Sequence, residues 1–388
     1  MRVAIDVTPL LGAPTGVAQA LRGLLGGLSD GQPDVEVVPY VLSGRAAGRG
    51  PLVVDGRAAT GLPLPAGLAI RAWGRLDRPS ADRWLGSSAV VHGSNFVVPP
   101  MRRRPTTVTI HDCWCARHPE RCSADVAAMT AAVRRAVARG AWLHVTTEHG
   151  AREVADVYGA TERVAVVPFA VPTVGVPGVV AGEDVDDGIG TAAPSGAGLP
   201  PAVAGRPSIL ALGATDPRKG FAGLVRAFGA LAVSDAEVFL VLAGPDGPGR
   251  PEVDAAVAAL PPEVARRVHV LGAVGDPVRR SLLAGATVLA YPSLDEGFGF
   301  PVLEAMAAGV PVVASTAGAL PEVAGDAAVL VPVGDDEALA SALASVLTDD
   351  RRRSELVAAG LERAATFTWA RTATGMVELW RLAVDTGP

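Results

Sequence analysis

Short runs of apolar residues alternate with longer segments of helical period along the first part of the chain. The run RVAIDV at residues 2–7 comes before a loop that contains glycine and a helical pattern at 17–28. A second helical pattern covers 123–139, and three further runs have the composition of buried strands: AVVHGS at 89–94, TTVTIHD at 106–112 and WLHVTT at 142–147. Strands that alternate with helices predict a parallel sheet covered on both faces.

The alternation stops at residues 171–207, where proline, glycine, alanine and acidic residues follow one another without a period. Such a composition predicts a linker or a flexible insertion. The alternation then resumes, with helical patterns at 222–231 and 301–308 and strand candidates at 208–214, 238–244, 268–272, 287–293 and 311–315. This pattern predicts a second doubly wound sheet. Two such domains facing a cleft would place the carboxyl ends of their strands, where these sheets bind ligands, on its walls.

Composition narrows the class of protein. The chain has 388 residues, of which 49% are hydrophobic and 4% aromatic, which favours two domains built from small aliphatic residues. A net charge of −6 argues against a general nucleic-acid binder, because affinity for the phosphate backbone comes from clustered lysine and arginine. No apolar run reaches the ~18 residues of a membrane span, and the first residues lack the basic head of a signal peptide. A cytoplasmic protein is therefore expected.

The stretch EGFGFPVLE, which begins at Glu296 and ends at Glu304, places two carboxylates around a glycine-rich turn. The strand candidate before it brings the turn to the carboxyl edge of the sheet, and Pro301 is suited to the first position of a helix. Backbone N–H groups at a helix N-terminus attract anions, and Gly297 and Gly299 let the backbone approach a ligand closely. Because phosphates repel carboxylates, the two glutamates are expected to contact hydroxyl groups on either side of a phosphate.

A ligand that has hydroxyl groups on both sides of a phosphate is a nucleotide sugar. Glu304, placed in the first turn of the predicted helix, would accept hydrogen bonds from a ribose diol, and Glu296 would contact a second polyol. Taken singly, each has another interpretation: Glu304 as a partner of the helix dipole and Glu296 as a solvated acid of the loop. The only lysine of the chain, Lys219, suggests a site that requires a compact ammonium, unless it is retained by chance.

With these motifs the sequence resembles a known family. Residues 289–335 are similar to the donor-binding signature of the retaining GT-B glycosyltransferases of family 4, including its two glutamates separated by seven residues. The segment ALGATDPRKGFAGLVRAF resembles that family's diphosphate-binding loop, VTIHD its acceptor-domain histidine segment, and FTWARTATGMVELW its C-terminal helix. The segments TGVAQAL, HDCW and HPE are most similar to the mannosyl- and rhamnosyltransferases of the family.

The resemblance implies a fold and a division of the chain. The fold is the α/β GT-B fold, two Rossmann-like doubly wound domains facing a central cleft. An N-terminal acceptor-binding domain at 1–170 would be completed by the C-terminal helix at 367–388. Residues 171–207 would form the linker, and residues 208–366 the nucleotide-sugar domain.

The resemblance also implies residue roles in the second domain. Lys219 and Arg218 match the basic pair that neutralises the donor diphosphate and stabilises the leaving group. Many members carry an arginine after the glycine of this loop, whereas Gly213 is followed here by Ala214, so the partition of phosphate contacts stays open. A solvated basic pair is the alternative for Arg218 and Lys219.

Further roles follow for the glycine-rich turn and for two residues of the first domain. Glu296 matches the contact to donor-sugar hydroxyls, and Glu304 matches the ribose ligand. The backbone N–H groups of Gly297, Phe298 and Gly299 match those near the sugar and phosphate. Two further positions belong to the first domain, namely Gly16, in the loop that covers the phosphates, and His111, beside the reacting sugar, where it would position hydroxyls unless it is only a packing residue.

The implied reaction is the transfer of a hexose from a nucleoside diphosphate sugar to a hydroxyl group, with retained configuration and without a metal or other cofactor. GDP-mannose is the first donor expected and a UDP-hexose the second. The acceptor would be a saccharide, a lipid-linked saccharide or a small metabolite, and nucleic acid is not an expected partner. The alternatives are an epimerase or phosphorylase on the same fold, and a non-catalytic nucleotide-sugar binding protein.

Three other motifs have competing interpretations. The segment HDCWCARHPERC at 111–122 suggests zinc, but its spacing does not match common zinc sites, and reduced thiols are the simpler interpretation. Asp184 and Asp186 resemble a metal-binding acid pair but lie in the predicted linker. The cluster MRRRP at 101–105 suggests weak peripheral contact with anionic lipid head groups. Because no apolar face adjoins it in the sequence, an ordinary exposed loop is favoured.

Overall fold

The computed structural model describes residues 1–12, 15–42, 52–171, 179–180, 203, 205–232 and 237–388. The chain divides into two compact units: unit 1 comprises Met1–Asp186 and Phe367–Pro388, and unit 2 comprises Asp187–Thr366. Most of the predicted linker at 171–207, including Asp184 and Asp186, lies outside the described residues. Among the described residues, no helix is both long and apolar enough to cross a membrane.

Unit 1 is built on a parallel sheet of seven strands in the order β5-β2-β1-β6-β7-β8-β9, accompanied by a small antiparallel sheet in the order β10-β3-β4. Its strands are β1 (Arg2–Asp6), β2 (Glu36–Val41), β3 (Val53–Val54), β4 (Arg57–Ala58), β5 (Thr60–Gly61), β6 (Val90–Gly93), β7 (Thr106–Thr109), β8 (Trp142–Val145), β9 (Val164–Val166) and β10 (Val179–Val180).

The three longest helices before residue 170 begin at side chains that cap them. Thr15, Ser123 and Thr147 each accept a hydrogen bond from the backbone N–H three residues further on, at 3.2, 3.4 and 3.0 Å. The helices before residue 170 are α1 (Gly16–Gly31), α2 (Ala66–Trp73), α3 (Asp82–Leu85), α4 (Trp114–Arg117), α5 (Ala124–Ala138) and α6 (Glu148–Tyr158).

Unit 2 contains a parallel sheet of six strands in the order β13-β12-β11-β14-β15-β16. Its strands are β11 (Ser208–Leu212), β12 (Phe239–Ala243), β13 (Val268–Val270), β14 (Val288–Tyr291), β15 (Val312–Ser315) and β16 (Val329–Val331). Its helices are α7 (Phe221–Leu231), α8 (Arg250–Ala258), α9 (Pro262–Ala265), α10 (Asp276–Gly285), α11 (Phe300–Ala307), α12 (Leu320–Ala324), α13 (Asp336–Thr348) and α14 (Asp350–Ala365).

The strand order places a topological switch point between β11 and β14. On one side the chain winds outward through β12 and β13, and on the other through β15 and β16. Ligands of open α/β sheets bind at such a point, beyond the carboxyl ends of the two strands. The loops that leave β11 and β14 are therefore the expected binding loops of unit 2.

The C-terminal helix α15 (Trp369–Thr386) belongs to unit 1, where it packs along α1. The contact depends on two glycines of α1. A Cβ atom at Gly23 would lie 2.0 Å from the Trp369 ring, and one at Gly27 would lie 2.5 Å from the Trp369 carbonyl oxygen. Thr372 Oγ1 also donates a hydrogen bond to the Pro168 carbonyl at 2.8 Å. The helix is thus an integral layer of unit 1.

Where a predicted strand or helix is present in the structure, its predicted and observed bounds differ mainly at the ends. The strand expected at 287–293 is confirmed as Val288–Tyr291, and the one expected at 106–112 as Thr106–Thr109. The residues beyond each strand form the loops at the carboxyl edge, where ligand-binding residues are expected. Strand β2 was not predicted, because Pro39 interrupts its apolar run.

Candidate functional site

The loops after β11 and β14 are joined directly. The backbone N–H of Leu294 donates a hydrogen bond to the Arg218 carbonyl at 2.7 Å. Gly220, in the left-handed region with φ +68°, lies against the other loop, because a Cβ there would come 2.3 Å from the Pro292 carbonyl oxygen. This packing brings Lys219, from the first loop, beside Glu296, from the second.

Lys219 and Glu296 form the centre of the site. Lys219 Nζ lies 2.6 Å from Glu296 Oε2 and donates to Tyr291 Oη at 2.9 Å, and Tyr291 Oη donates to the same carboxylate oxygen at 2.8 Å. The side chains of Lys219 and Glu296 are 13% and 12% exposed. Removing one partner of a pair buried to this degree leaves an uncompensated charge, at a cost of about 3–5 kcal/mol. The only lysine of the chain is therefore held in a defined position.

Electrostatics keep this cluster charged. Burial alone would raise the pKa of Glu296, but the charges of Lys219 and Arg218 hold it below its ordinary value. Burial alone would lower the pKa of Lys219, but the Glu296 charge raises it above its ordinary value. Burial and the Glu296 charge raise the pKa of Tyr291 to about 12. At neutral pH the cluster thus contains an ammonium, a carboxylate and a neutral phenol.

Glycines fix the turn that follows Glu296. Gly299 has φ +96°, and a Cβ there would lie 2.7 Å from Leu320 Cδ2. A Cβ at Gly318, with φ +54°, would lie 2.2 Å from the Glu296 carbonyl oxygen, which also accepts a hydrogen bond from Ala319 N at 2.8 Å. Phe298 is buried. Gly297 is buried too, so the turn is a packed feature of the fold.

Helix α11 begins one residue earlier than predicted. Gly299 is its N-terminal flanking residue in the left-handed region, so Phe300 is the first helical residue and Pro301 the second. Glu304 therefore lies in the second turn, and its prediction for the first turn is wrong. Gly309, with φ +70°, follows the end of the helix, a position where glycine in the left-handed region commonly terminates helices.

Glu304 is buried and forms an ion pair with Arg279 of α10. Arg279 Nη2 donates to Glu304 Oε2, and Arg279 Nε is buried without a hydrogen-bond partner among the described residues. The sequence did not predict Arg279, since nothing in DPVRRSLL distinguishes one arginine from the other. Tyr291 was also missed, although its position at the end of β14, directly before Pro292, is the signal that could have identified it.

The loop after β11 is held by its own polar groups. Asp216 Oδ1 accepts a hydrogen bond from Arg218 N at 2.8 Å, which closes a short helical turn over Pro217–Lys219. Gly213 lies against the loop after β12, because a Cβ at Gly244 would come 2.0 Å from the Gly213 carbonyl oxygen. The predicted residues Gly213, Arg218 and Lys219 thus belong to one ordered loop at the switch point.

His111 lies in unit 1, two residues beyond the end of β7. Its Nε2 is 3.0 Å from the Ser94 carbonyl oxygen. Since a carbonyl only accepts, Nε2 carries the proton and Nδ1 is the acceptor nitrogen of the neutral ring. Burial lowers the pKa of His111, and the hydrogen bond to Ser94, which acts in the opposite direction, only partly offsets this effect. The imidazole is therefore neutral at neutral pH. The ring also packs between Phe96 and Phe169, with centroid distances of 5.6 and 6.0 Å.

A buried polar network that the sequence did not predict lies in the adjacent strands of unit 1. His92 Nδ1 is 2.9 Å from Thr107 Oγ1, and Thr109 Oγ1 is 2.9 Å from His144 Nδ1. Burial lowers the pKa of His144 to about 4 and that of His92 well below its ordinary value. Both rings are therefore neutral at neutral pH, and they form hydrogen bonds with the hydroxyl groups of Thr107 and Thr109.

Gly16 lies at the start of helix α1, and its role over the donor phosphates stays a prediction. It is the exposed first residue of α1, directly after Thr15, and Ala13 and Pro14 of the expected phosphate-covering loop lie outside the described residues. Gly16 and His111 thus belong to unit 1, whereas every other predicted site residue belongs to unit 2.

The expectation of reduced thiols in 111–122 is wrong for two of the three cysteines. Cys115 and Cys122 form a disulfide, with 5.8 Å between their Cα atoms. Helix α4 and the short turn Pro119–Arg121 fold the chain back, so residues seven apart come within bonding range. Cys113 remains a buried thiol. In the part of the chain that the structure describes, no group of three or more histidine, cysteine or acidic side chains converges on a metal position.

Comparison with known proteins agrees with this geometry. Residues 206–349 match the family model described as glycosyl transferases group 1. This region, less than half of the chain, contains all the predicted site residues of unit 2, together with Tyr291 and Arg279. The switch-point loops of unit 2 thus lie within the segment that matches this family model.

Two curated relatives match part of the chain. O-antigen chain mannosyltransferase B of Escherichia coli is 28% identical over 176 residues, which cover 45% of this chain and 45% of that protein. D-inositol 3-phosphate glycosyltransferase of Xylanimonas cellulosilytica is 32% identical over 253 residues, 63% of this chain and 58% of that protein. The chain therefore spans about half the length of the curated relatives it matches.

Solved structures match over nearly the whole chain and show its fold. Sucrose-phosphate synthase of Thermosynechococcus elongatus superposes with a TM-score of 0.69 at 19% identity and covers 99% of both chains. HepE of Anabaena, in complex with UDP-glucose, superposes with a TM-score of 0.66 at 17% identity, over 97% of this chain and 98% of that one. The predicted α/β fold is thus confirmed: the chain has the GT-B fold, with two Rossmann-like domains.

Proposed function

We propose that the protein is a retaining glycosyltransferase that moves a hexose from a nucleoside diphosphate sugar to a hydroxyl group of an acceptor. The observation that carries the proposal is the cluster of Lys219, Glu296 and Tyr291 at the switch point of unit 2. It places a cation and a carboxylate beside a glycine-rich turn at the N-terminus of α11. Cation, N–H groups and carboxylate suit a ligand that combines a diphosphate with sugar hydroxyls.

The cluster implies an exchange of partners on donor binding. The Lys219 ammonium donates hydrogen bonds to Glu296 and Tyr291. A donor diphosphate would compete for that ammonium, and the released Glu296 carboxylate would accept hydrogen bonds from the sugar hydroxyls. Because the charge on the diphosphate increases as the glycosidic bond breaks, Lys219 and Arg218 would stabilise the transition state more than the bound donor. These two cations would supply the charge stabilisation that the leaving group needs without a metal.

Each of the remaining predicted residues would contact a different part of the substrates. Glu304, held by Arg279, would accept hydrogen bonds from the ribose diol. Gly297 and Gly299 would let backbone N–H groups reach the sugar and phosphate. His111 of unit 1, a neutral ring with its acceptor at Nδ1, would position hydroxyl groups. The acceptor hydroxyl would attack the face from which the diphosphate leaves, and its proton would pass to a phosphate oxygen.

The comparisons support two donors. Similarity to O-antigen chain mannosyltransferase B favours a mannose donor, for which GDP-mannose is the first choice. Similarity in fold to HepE, solved with UDP-glucose, favours a UDP-hexose as the second. A hydroxyl acceptor is common to both proposals.

Calorimetric titration of the metal-free protein with GDP, UDP and their hexose conjugates tests the donor site. We expect one nucleotide to bind clearly better than the other, and its conjugate then to transfer sugar to an added acceptor with retained anomeric configuration, as judged by NMR. Failure to bind either nucleotide would contradict the proposal. Turnover of the donor without a hydroxyl acceptor would instead favour an epimerase or a phosphorylase.

A further inference from the structure

Unit 1 presents an exposed surface that combines arginines with large apolar side chains. We call it the arginine–tryptophan surface. The name covers the exposed side chains of Leu76, Arg78, Arg83 and Trp84 in segment 76–84 and the loop 102–104, which contains three consecutive arginines and packs against that segment. Leu76 is 61% exposed and Trp84 36% exposed, and all five arginines are exposed. Both apolar side chains thus remain in water in a chain whose other tryptophans are better covered.

Hydrogen bonds hold the arginine loop against helix α3. Arg104 Nε donates to the Gly86 carbonyl at 3.1 Å, and Arg102 N donates to Asp82 Oδ2 at 3.1 Å. Trp84 lies between Asp82 and Gly86 in the chain, so its exposed indole belongs to the segment against which the arginine loop packs. The sequence interpretation that no apolar face adjoins the arginines is therefore wrong, since that face is supplied by a helix about twenty residues earlier in the chain.

The charge of this region contrasts with that of the whole protein. Residues 71–104 contain seven arginines and two aspartates, a net charge of +5, whereas the entire chain has −6. One of the two aspartates, Asp77, is already paired with Arg135 of α5 and with Arg139, the residue that follows this helix. Among carboxylates of the described residues, none lies within ion-pair distance of the arginines of this surface. Their positive charge is therefore available to a partner.

A second arginine triplet shows that this arrangement is not a general property of the chain. Arg351–Arg353 of α14 are also exposed or partly exposed, but Arg351 Nε pairs with Glu355 at 2.8 Å and Arg353 pairs with Asp350. The two triplets have the same composition and differ in their surroundings. In α14 two of the three arginines pair with carboxylates of their own helix, whereas the arginines of loop 102–104 form no ion pair among the described residues.

We propose that the arginine–tryptophan surface docks the protein on an anionic phospholipid membrane. Head-group charge would attract the unpaired arginines, while Trp84 and Leu76 would leave water for the boundary between head groups and acyl chains, where indole rings are favoured. A nucleic acid or an acidic polypeptide would match the charge but would leave Leu76 without an apolar environment. The contact is peripheral, and the negative charge of the remaining chain would orient the protein with this surface toward the lipid.

Cosedimentation of the full chain with vesicles tests the proposal. We expect binding to vesicles of equal parts phosphatidylcholine and phosphatidylglycerol, little binding to pure phosphatidylcholine, and loss of binding as salt is added. Replacing Arg102, Arg103 and Arg104 by glutamine should lower the partition coefficient about fivefold per arginine, and roughly a hundredfold in total. Trp84→Ala should lower it several-fold and remove most of the salt-resistant binding.

Two further variants keep the test decisive. The matched control replaces Arg351, Arg352 and Arg353 by glutamine, and it should leave binding to the vesicles unchanged. Arg103→Glu changes an exposed side chain that forms no hydrogen bond or ion pair among the described residues, so this variant should keep its fold while its binding weakens. Equal loss in the control triplet, equal binding to both vesicle types, or binding to duplex DNA but to neither vesicle would overturn the proposal.

Discussion

The two sheets share the same arrangement at their centres, but the loops at their switch points carry different chemistry. In unit 1 the loops after β1 and β6 are joined when Ser94 Oγ donates to the Asp6 carbonyl at 2.8 Å, much as Leu294 joins Arg218 in unit 2. In unit 2 that junction surrounds a charged pair. In unit 1 it adjoins neutral histidines and threonines, together with the buried Asp6 carboxyl, which accepts a hydrogen bond from Thr8 N–H.

This difference shows how one architecture can be adapted to two kinds of ligand. A charged pair can be buried only when its charges compensate one another, and it is ready to exchange partners with a charged ligand. Neutral imidazoles and hydroxyls suit hydroxyl groups and give no strong attraction for phosphate. The comparison therefore supports a diphosphate at unit 2 and neutral hydroxyl groups at unit 1.

The largest effect is expected from breaking the charged pair. Lys219→Ala should reduce kcat about a hundred- to a thousandfold, because it removes the ammonium that stabilises the leaving diphosphate. Arg351→Ala, which removes an exposed cation of α14, is the control. Steady-state kinetics with the donor identified by calorimetry measure the effect, and a Lys219 variant with unchanged kcat would exclude this residue from the reaction.

Acid should destabilise unit 1 through its neutral histidines. A folded pKa of about 4 for His144, against 6.5 ordinarily, means that the unfolded chain binds more protons between these values. Stability should then rise with pH across this window, by about 3 kcal/mol from His144 alone. Asp6 opposes the trend, because burial raises its pKa to about 6 and the folded form holds the extra proton between 3.8 and 6.

Urea unfolding at several pH values, followed by tryptophan fluorescence, measures this effect selectively. All six tryptophans belong to unit 1, so the signal reports that unit. Asp6→Asn should make the increase of stability with pH steeper, since it removes the opposing group. A flat profile in both proteins would show that the buried histidines do not control acid stability.

A smaller effect is expected at the ribose contact. Glu304→Ala should weaken nucleotide binding about ten- to a hundredfold, the range for a hydrogen bond to a charged group, with little change in discrimination between sugars. Glu355→Ala, on the exposed side of α14, is the matched control. If Glu304 served only to neutralise Arg279, the variant would lose stability while its nucleotide affinity stayed unchanged, and titration combined with thermal unfolding separates the two outcomes.

The smallest effect concerns the phenol that links the charged pair. Tyr291→Phe keeps the buried ring, and kcat/KM should fall about tenfold or less, because the variant loses the hydrogen bond accepted from Lys219 and the one donated to Glu296. Since that hydrogen bond helps to lower the pKa of Glu296, its loss should move the acid limb of the pH profile to higher pH. An unchanged limb would mean that Tyr291 packs beside the pair without tuning it.

Local signals made part of the site predictable. A strand that ends in proline, glycines at positions that require positive φ, and a proline near a helix start together specify the turn around Gly299 with little help from the rest of the chain. The family resemblance then assigned Lys219 and Glu296 from their motifs.

Contacts between distant segments were not predictable in the same way. Glu296 meets Lys219 across 77 residues, and Arg279 reaches Glu304 from another helix. Trp84 lies beside the arginine loop only because α3 packs there. Such pairings depend on strand order and helix packing, which apolar periodicity alone does not encode.

The place of α15 has a consequence for how the protein is made. Its residues complete the apolar layer over α1 by packing Trp369 against Gly23 and Gly27, yet they follow all of unit 2 in the chain. During translation residues 1–186 therefore emerge with that side of α1 uncovered, while all of unit 2 is produced. Unit 2 can finish folding before α15 emerges, whereas unit 1 must wait for that helix, and its exposed apolar face is the part that a chaperone would need to protect.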